Sequence, residues 1–406
     1  MDRARLRWPV AIAVAVVVAE VAVLLLRPRE GVIEPAGVRA ESYFSAAQID
    51  RARNYNRPQL ALYGAGLVVQ IGVLGLLIAR PPRRLGGPFR RPLLAAAVTG
   101  AALSVTVSAA VLPLRVAGRE RARDYGLITQ GWGGYARDQA LSWGIGGAIA
   151  GVGAVGGVAL IRRFPRRWWI PGSAVAVAFG VVTIYAGPVV LDPLFNTFKA
   201  LPAGEVRSDV MELARKAGVD VGEVYEIDAS RRTTAANAYV TGLGHTKRVV
   251  LYDTLIENFS RDELRLVVAH ELGHVRYDDV PKGLLYLALV APFGMFAISR
   301  LTGRMTADAP AGPAILPALA LSITLVTTAV TTVSNQYSRA IEARADSFAL
   351  QTTSQPDAFI SFERRIALRN LSDPDPPSWI TFLLATHPST VQRIGLGVTF
   401  QREQER

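Results

Sequence analysis

Two of the four histidines in this 406-residue chain, His270 and His274, stand four residues apart, and Glu271 directly follows the first. Upstream, Ser260 and Glu263 form a capping-box pattern, and apolar residues recur behind them at helical spacing. On a helix both imidazoles share one face and can reach a single metal ion. Glu271 lies about 100° around the helix from His270, where its carboxylate can hold a water on the metal. The pattern predicts a zinc site; the alternative is a pair of surface histidines on an amphipathic helix.

A catalytic zinc site usually has three protein ligands and one open position, so the two histidines need a partner. The segment SRAIEARADSFAL (338–350) has helical periodicity and places Glu342 and Asp346 one turn apart. Glu342 is the candidate third ligand, and Asp346 is the candidate acceptor for the free ring N–H of a ligand histidine. From these residues alone, an exposed helix in which both carboxylates pair with Arg339 and Arg344 remains an alternative.

The composition points to a membrane protein, since half of the residues are apolar and only 19% are charged. The apolar residues fall into seven blocks of about 16 to 23 residues, lengths that match a hydrocarbon core roughly 30 Å thick. The absence of cysteine excludes disulfides and thiolate ligands. The seven predicted transmembrane helices lie at residues 8–26, 60–79, 92–114, 141–161, 169–191, 283–298 and 313–333.

The formal net charge of +12 comes largely from arginines beside the apolar blocks. The segments RPPRRLGGPFRR (80–91) and RRFPRR (162–167) contain no acidic residue, which is typical of short cytoplasmic loops. The charge therefore indicates membrane topology, and we expect no nucleic-acid partner. Together with the basic N-terminal arm, these loops predict that the active site faces away from the cytoplasm.

The polar segments predict a catalytic unit that is divided by membrane helices. Residues 1–195 form an N-terminal membrane domain with five transmembrane helices, and residues 196–280 the first half of a zinc peptidase unit with the HELGH helix. Residues 281–334 contribute two more transmembrane helices, and residues 335–406 the second half of the unit with the third ligand.

Several stretches, in order along nearly the whole chain, together resemble the CAAX prenyl protease 1 family of zinc metallopeptidases. The resemblance implies that His270, His274 and Glu342 bind zinc and that Glu271 is the catalytic base. It also implies seven membrane helices around a water-filled chamber, and a catalytic side that faces the cytosol, contrary to the charge argument. The stretches are YFSAAQIDRARNYNR (43–57), YGLITQGWGGYARDQAL (125–141), DPLFNTF (192–198), ANAYVTGLGHTKRVVLYDTLI (236–256), HELGH, SRAIEARADSFA and THPSTVQRI (386–394).

A tetrahedral oxyanion needs a donor besides the metal, and His387 in THPSTVQRI is the first candidate, with Arg393 as the second. The alternative is a proline-fixed turn in which Arg393 is salt-bridged. The family usually has two prolines after this histidine, whereas this chain has Pro388 followed by Ser389.

Three apolar-rich runs between Val224 and Tyr252 predict a small antiparallel sheet, whose exposed edge would accept an extended peptide by backbone pairing. The resemblance points to Asn237 and Ala238 as that edge; an ordinary hairpin with Asn237 in its turn is the alternative. The predicted fold is therefore a mainly α, polytopic membrane protein with about seven transmembrane helices around a chamber and a zincin-like catalytic unit.

The predicted function is that of a zinc-dependent membrane endopeptidase, an integral multi-pass protein of the cell membrane. Its expected partners are the lipid bilayer and a peptide or protein substrate, either a prenylated CAAX terminus or a membrane protein under quality control. The alternative is a transporter or channel with a vestigial zincin site, a reading favoured by Glu20 and Gln70 inside apolar blocks.

Overall fold

The computed structural model describes residues 7–82, 90–242, 244–306 and 312–406. Most of the basic N-terminal arm and the centre of the segment 80–91 lie outside the described residues. The helices within them are α1 Arg7–Leu26, α2 Ala46–Ala79, α3 Pro92–Asp124, α4 Trp132–Arg163, α5 Trp169–Val190, α6 Asp192–Phe195, α7 Glu205–Ala217, α8 Asp253–Asn258, α9 Arg261–Arg276, α10 Asp279–Met305, α11 Leu316–Thr353, α12 Pro356–Arg369, α13 Ser378–Leu384 and α14 Thr390–Gln404.

Seven of these helices are long and apolar enough to cross a membrane, and each contains one of the predicted blocks. The prediction of seven transmembrane helices is confirmed. The longest, α11, has 38 residues and is about 57 Å long at 1.5 Å per residue, well beyond a hydrocarbon core of about 30 Å. No proline or glycine follows Pro317 in α11, so nothing stops the helix at the end of its apolar part. One continuous helix therefore carries both a membrane span and Glu342, and the boundary predicted at residue 335 falls inside it.

The membrane helices form a ring. Helix α3 packs against α2 and α4, α4 contacts α5, α5 packs against α10, and α11 packs against both α10 and α2, which closes the ring; α1 packs on α10 and α11. None of the apolar 18-residue window of α5 is buried, and only 11% of the corresponding window is buried in α2 and in α3. A solid bundle would bury one face of each helix. The helices therefore form a ring that leaves much of their apolar surface exposed, and the chamber implied by the resemblance stays a prediction.

The two polar residues inside apolar blocks have partners on α11. Gln336 Nε2 donates to Glu20 Oε2 at 3.1 Å, and Gln70 Nε2 donates to Thr324 Oγ1 at 2.9 Å. These bonds tie α1 and α2 to α11. They explain both residues as links within the ring, so that a transport pathway is not needed to account for them.

A small mixed sheet lies beside the membrane ring, with strand order β1-β2-β4-β3. The predicted antiparallel pairing holds for β3 with β4, but β2 and β4 are parallel; β1, which was not predicted, adds to the sheet antiparallel to β2. The difference arises because the chain passes from β2 to the edge position of β3 before it returns as β4 between them. The strands are β1 Phe198–Ala200, β2 Glu223–Ile227, β3 Ala238–Thr241 and β4 Arg248–Tyr252.

Helix α9 is built as the sequence predicts, since Ser260 and Glu263 form the capping box. Its apolar face, with Leu264 and Leu272, is buried in the core of the polar unit. Helix α9 also lies close to α11: a Cβ added at Gly273 would stand 3.1 Å from Phe348 Cδ1, which is tighter than ordinary van der Waals contact. The glycine inside HELGH thus permits the close approach of the two helices that carry the candidate ligands.

Candidate active site

Helices α9 and α11 bring His270, His274 and Glu342 together, with one potential ligand atom from each within 4.8 Å of the others. The two Nε2 atoms of the histidines are 3.2 Å apart. Glu342 Oε2 is 3.1 Å from His270 Nε2, and Glu342 Oε1 is 3.7 Å from His274 Nε2. Two nitrogens bound tetrahedrally to zinc at 2.0–2.1 Å stand about 3.3 Å apart. The spacing of the three side chains therefore fits a single ion of this size.

The hydrogen bonds around the three side chains also fit a metal. His270 Nδ1 lies 2.8 Å from Asp346 Oδ1, and His274 Nδ1 lies 3.0 Å from Asp279 Oδ2. Both carboxylates favour a proton on Nδ1, which leaves the Nε2 lone pairs directed at the centre of the site. Glu342 Oε2 is buried and has no hydrogen-bond partner among the described residues. Two imidazole nitrogens and an unsatisfied carboxylate oxygen form a donor set for a divalent metal ion.

Glu271 faces the same space without belonging to the three-residue donor set. It lines a cavity of about 630 Å³. Burial raises the pKa of its carboxyl above the ordinary value, because an ionised carboxylate loses hydration there. A raised pKa suits a group that must take up and later release a proton. The predicted site residues that line this cavity are Asn237, Ala238, His270, Glu271, Asp346, His387 and Arg393.

Arg393 is engaged with two buried carboxylates. Its Nε donates to Asp346 Oδ2 at 2.7 Å and its Nη2 to Asp346 Oδ1 at 2.5 Å, while Nη2 also lies 3.0 Å from Glu363 Oε1. Burial raises the pKa of Glu363 to about 7. Burial by itself would lower the pKa of Arg393, but the facing carboxylates raise it above the ordinary value. Arg393 thus holds Asp346 against His270, as in the salt-bridged alternative.

His387 lines the same cavity as Asn237 and Ala238. Its Nε2 is 3.4 Å from Glu342 Oε2, its Nδ1 is 3.0 Å from Thr386 Oγ1, and 57% of the side chain is exposed. Ser389 occupies the position of the family's second proline. It is the N-cap of α14 and forms a capping box with Gln392. The departure from the family pattern is therefore accommodated by a helix N-cap, and that helix carries Arg393.

The alternative pairing of Glu342 and Asp346 with neighbouring arginines is not what the structure shows. Arg339 Nη1 instead donates to the carbonyls of Thr381 and Ala385, on and directly after α13, at 2.8 and 2.6 Å. Arg344 donates to the carboxylate of Asp279 at the start of α10. Neither Arg339 nor Arg344 therefore neutralises Glu342 or Asp346.

The sequence analysis missed Asp279 and Glu363. Asp279 follows His274 by five residues in HVRYDD, and Asp278 between them has φ +55°, in the left-handed region. This turn starts α10 so that the Asp279 carboxylate reaches back to His274. An acidic pair four and five residues after the second histidine is a usable signal for such a partner. Glu363 lies on an amphipathic helix remote in sequence, and no local pattern distinguishes it.

We expect Asp279→Asn to weaken metal binding by about 10- to 100-fold, the usual effect of removing the carboxylate behind a ligand histidine. An amide holds the Nδ1 proton of His274 less strongly and leaves Arg344 without its ionic partner. Metal affinity is measured by competition with a chromogenic chelator. The matched control is Asp278→Asn, because asparagine tolerates the left-handed conformation there. Equal affinities in the two variants would contradict the assigned role of Asp279.

Comparison with known proteins places these features in one family. Peptidase family M48 matches residues 200–395. The metalloprotease YhfN of Bacillus subtilis is 33% identical over 300 residues, 72% of this chain and 70% of YhfN. The CAAX prenyl protease 1 homologue of Oryza sativa is 30% identical over 231 residues, and the match covers 55% of this chain and 53% of that protein. The CAAX prenyl protease 1 of Saccharomyces cerevisiae is 34% identical over 152 residues, 37% of this chain and 32% of the yeast protein.

The fold agrees with a solved structure along its whole length. The crystal structure of S. mikatae Ste24p matches with a TM-score of 0.72 at 19% sequence identity, and the match covers 98% of this chain and 99% of that one. The matched fold, the converging donor set and the similarity to YhfN lead to one conclusion. This chain belongs to peptidase family M48, as an integral multi-pass membrane metalloprotease that is similar to YhfN and to CAAX prenyl protease 1.

Proposed function

We propose that the chain is a zinc endopeptidase in which His270, His274 and Glu342 bind the metal and Glu271 is the catalytic base. The observation that carries this proposal is the shared cavity: Glu271 and the edge of β3 line one space beside the three potential ligand atoms. Bound at these residues, zinc would supply a Lewis acid that polarises a peptide carbonyl and acidifies a water molecule. The split peptidase unit, residues 196–280 with 335–406, would serve to bring α9 and α11 together.

The proton transfers are assigned to Glu271. Its carboxylate takes a proton from the attacking water and delivers it to the amine nitrogen of the leaving peptide. The position of the carboxyl supports this assignment, because Glu271 lines the cavity beside His270. Asp346 and Asp279 hold the Nδ1 protons of His270 and His274, which fixes the orientation of both rings.

His387 is the better candidate for stabilising the oxyanion. Its Nε2 lies near Glu342, and its side chain, which lines the cavity, is more than half exposed. The guanidinium of Arg393 is occupied by Asp346 and Glu363, which supports a positioning role more than a contact with substrate. Donation from His387 Nε2 to the developing negative charge would lower the barrier electrostatically.

The substrate is proposed to pair with the outer edge of β3. In the antiparallel pairing with β4, Tyr252 N donates to Asn237 O at 3.2 Å, and Ala238 faces Leu251. Because backbone groups alternate sides along a strand, those of Ala238 point away from β4. An extended peptide adds to such an edge through main-chain hydrogen bonds.

We expect Ala238→Pro to raise the apparent KM or abolish turnover while the metal stays bound, because proline removes the N–H needed for pairing and is tolerated at a sheet edge. Kinetics with a fluorogenic peptide and metal analysis check this result. Ala238→Gly is the matched control, since glycine keeps the N–H. Wild-type kinetics in a folded Ala238→Pro protein would place the substrate elsewhere.

The substrate is proposed to be an extended peptide from a lipidated or membrane-associated protein. Several relatives bear the name CAAX prenyl protease 1, which favours prenylated CAAX termini, whereas the ring of membrane helices beside the site is equally compatible with quality control of membrane proteins. The purified chain is tested with matched peptides that differ only in a prenyl group. Zinc-dependent cleavage supports the proposed function; a zinc-loaded protein that cleaves neither peptide nor an unfolded membrane protein would refute it.

A further inference from the structure

The outer edge of β3 continues upstream, beyond the strand itself, as a line of backbone groups. Asn237 faces β4, so the alternation of a strand turns the groups of Ala236, Ala238 and Val240 outward. The large cavity is lined by Ala236, Asn237 and Ala238 but by no later residue of β3. One end of this edge therefore lies inside the cavity, and the other leads out of it.

The part of the edge farthest upstream is closed by the loop between α3 and α4. Thr129 N donates to Arg232 O, and Thr234 N donates to Leu127 O, both at 3.1 Å. Ile128 and Thr233 form an antiparallel bridge between the same two segments. This loop belongs to the membrane ring and occupies the positions that a longer substrate strand would need.

The next outward position, Ala236, is closed by a side chain. Ala236 N donates to Asn370 Oδ1 at 3.2 Å, and Asn370 Nδ2 faces Ala236 O at 3.4 Å. The amide of Asn370 thus presents one acceptor and one donor to a single residue, as a neighbouring strand would. Ala238 is the first outward position with no such partner in the described part of the chain.

The turn that presents Asn370 has an uncommon conformation. Asn370 is the C-cap of α12, and Ser372 N donates to Ala367 O at 2.9 Å, the long bond of a Schellman motif. Leu371, at the position that usually holds glycine, has φ +52°. The turn is fixed from the membrane ring, because Asn56 Nδ2 on α2 donates to Leu371 O at 2.6 Å. Leucine in a left-handed position persists only where its surroundings impose it.

We propose that Asn370 is a positioning residue that ends the backbone pairing of the substrate opposite Ala238. This inference rests on the proposed binding of substrate to β3. A peptide that pairs with Ala238 and Val240 cannot extend its strand toward Ala236, because the amide of Asn370 and the α3–α4 loop already occupy that edge. The part of a bound peptide that lies beyond Ala238, toward Ala236, therefore cannot form strand hydrogen bonds with this edge.

The test uses the full-length protein and two nested series of peptides, one lengthened a residue at a time at the N-terminus and the other at the C-terminus. In one of the two series, the kcat/KM of the wild-type enzyme should stop rising once the added residues reach the position of Ala236, which Asn370 occupies. In Asn370→Ala the limit should move by about two residues, because outward positions recur every second residue. The ratio of kcat/KM between the longest and a short peptide should rise about tenfold, through KM, for two added hydrogen bonds.

Matched variants separate this proposal from a purely structural effect. Ser372→Ala, in the same cavity lining, should leave the length profile of the wild type. Asn370→Asp keeps the acceptor for Ala236 N and loses the donor, so it should move the limit in the same direction by less, and it replaces Asn370→Ala if that variant does not fold. An unchanged length profile in Asn370→Asp or Asn370→Ala, with Ala238→Pro still impaired, would overturn the inference alone. Wild-type kinetics in Ala238→Pro would overturn the substrate strand itself.

Discussion

Glu271→Ala is expected to lose about 10²- to 10⁴-fold in kcat while retaining its metal, the range that a general base contributes. The carboxylate lines the cavity beside His270, yet the donor set consists of His270, His274 and Glu342. Removing Glu271 therefore takes away the proposed proton acceptor and leaves the proposed metal-binding atoms in place. Cleavage of a fluorogenic peptide and metal content by mass spectrometry are measured on the same preparation.

The control for this variant is Glu257→Ala, which removes an exposed carboxylate from α8. It should keep both the metal and the activity. Near-wild-type turnover in Glu271→Ala would show that another group is the base. Loss of metal in Glu271→Ala would show that Glu271 binds the ion or supports its ligands, contrary to the geometry of the site.

The membrane fold could be predicted from the sequence because bilayer thickness fixes the length of an apolar helix. The arrangement of those helices could not be predicted. The ring depends on which helix faces pack against each other, and the hydrophobic blocks are apolar on all sides. The same limit applies to the sheet. The runs that became β2 and β4 were identified by composition, but their parallel pairing depends on the path of the chain through β3.

Those parts of the candidate metal site that lie within one helix could be predicted from the sequence. The spacing of His270 and His274 places both on one face of a helix, and Glu342 with Asp346 repeats that spacing on another helix. That the two helices meet depends on Gly273, whose missing side chain leaves room for Phe348. This close approach is a three-dimensional fact that helical periodicity does not encode.

Residues that act through turn geometry were not predictable. Asp279 reaches His274 only because Asp278 adopts a left-handed conformation, and Asn370 reaches Ala236 only because Leu371 does. For Asn370 the local sequence gives no warning, since glycine is the residue expected at the position of Leu371, whereas for Asp279 the acidic pair in HVRYDD is the one local signal. Both turns connect the peptidase unit to the membrane ring, which explains why a reading of separate segments missed them.

Glu342→Ala is expected to release the metal, with a loss of affinity greater than the 10- to 100-fold typical of residues behind the ligands. The substitution removes the only carboxylate oxygen of the donor set and leaves two imidazole nitrogens, one fewer than a catalytic zinc site usually has. Metal content after dialysis against a chelator measures the effect. Gln351→Ala, an exposed position on the same helix, controls for changes in α11 itself.

The two glutamate variants are informative as a pair. Glu271→Ala and Glu342→Ala should both be inactive, but only the first should retain its ion through dialysis, and added zinc should restore activity to neither. Unchanged metal content in Glu342→Ala would contradict its assignment as third ligand, and the nearby His387, whose Nε2 is 3.4 Å from Glu342 Oε2, would then be the side chain to test. Because inactivity is common to both variants, the metal measurement is what separates the ligand from the base.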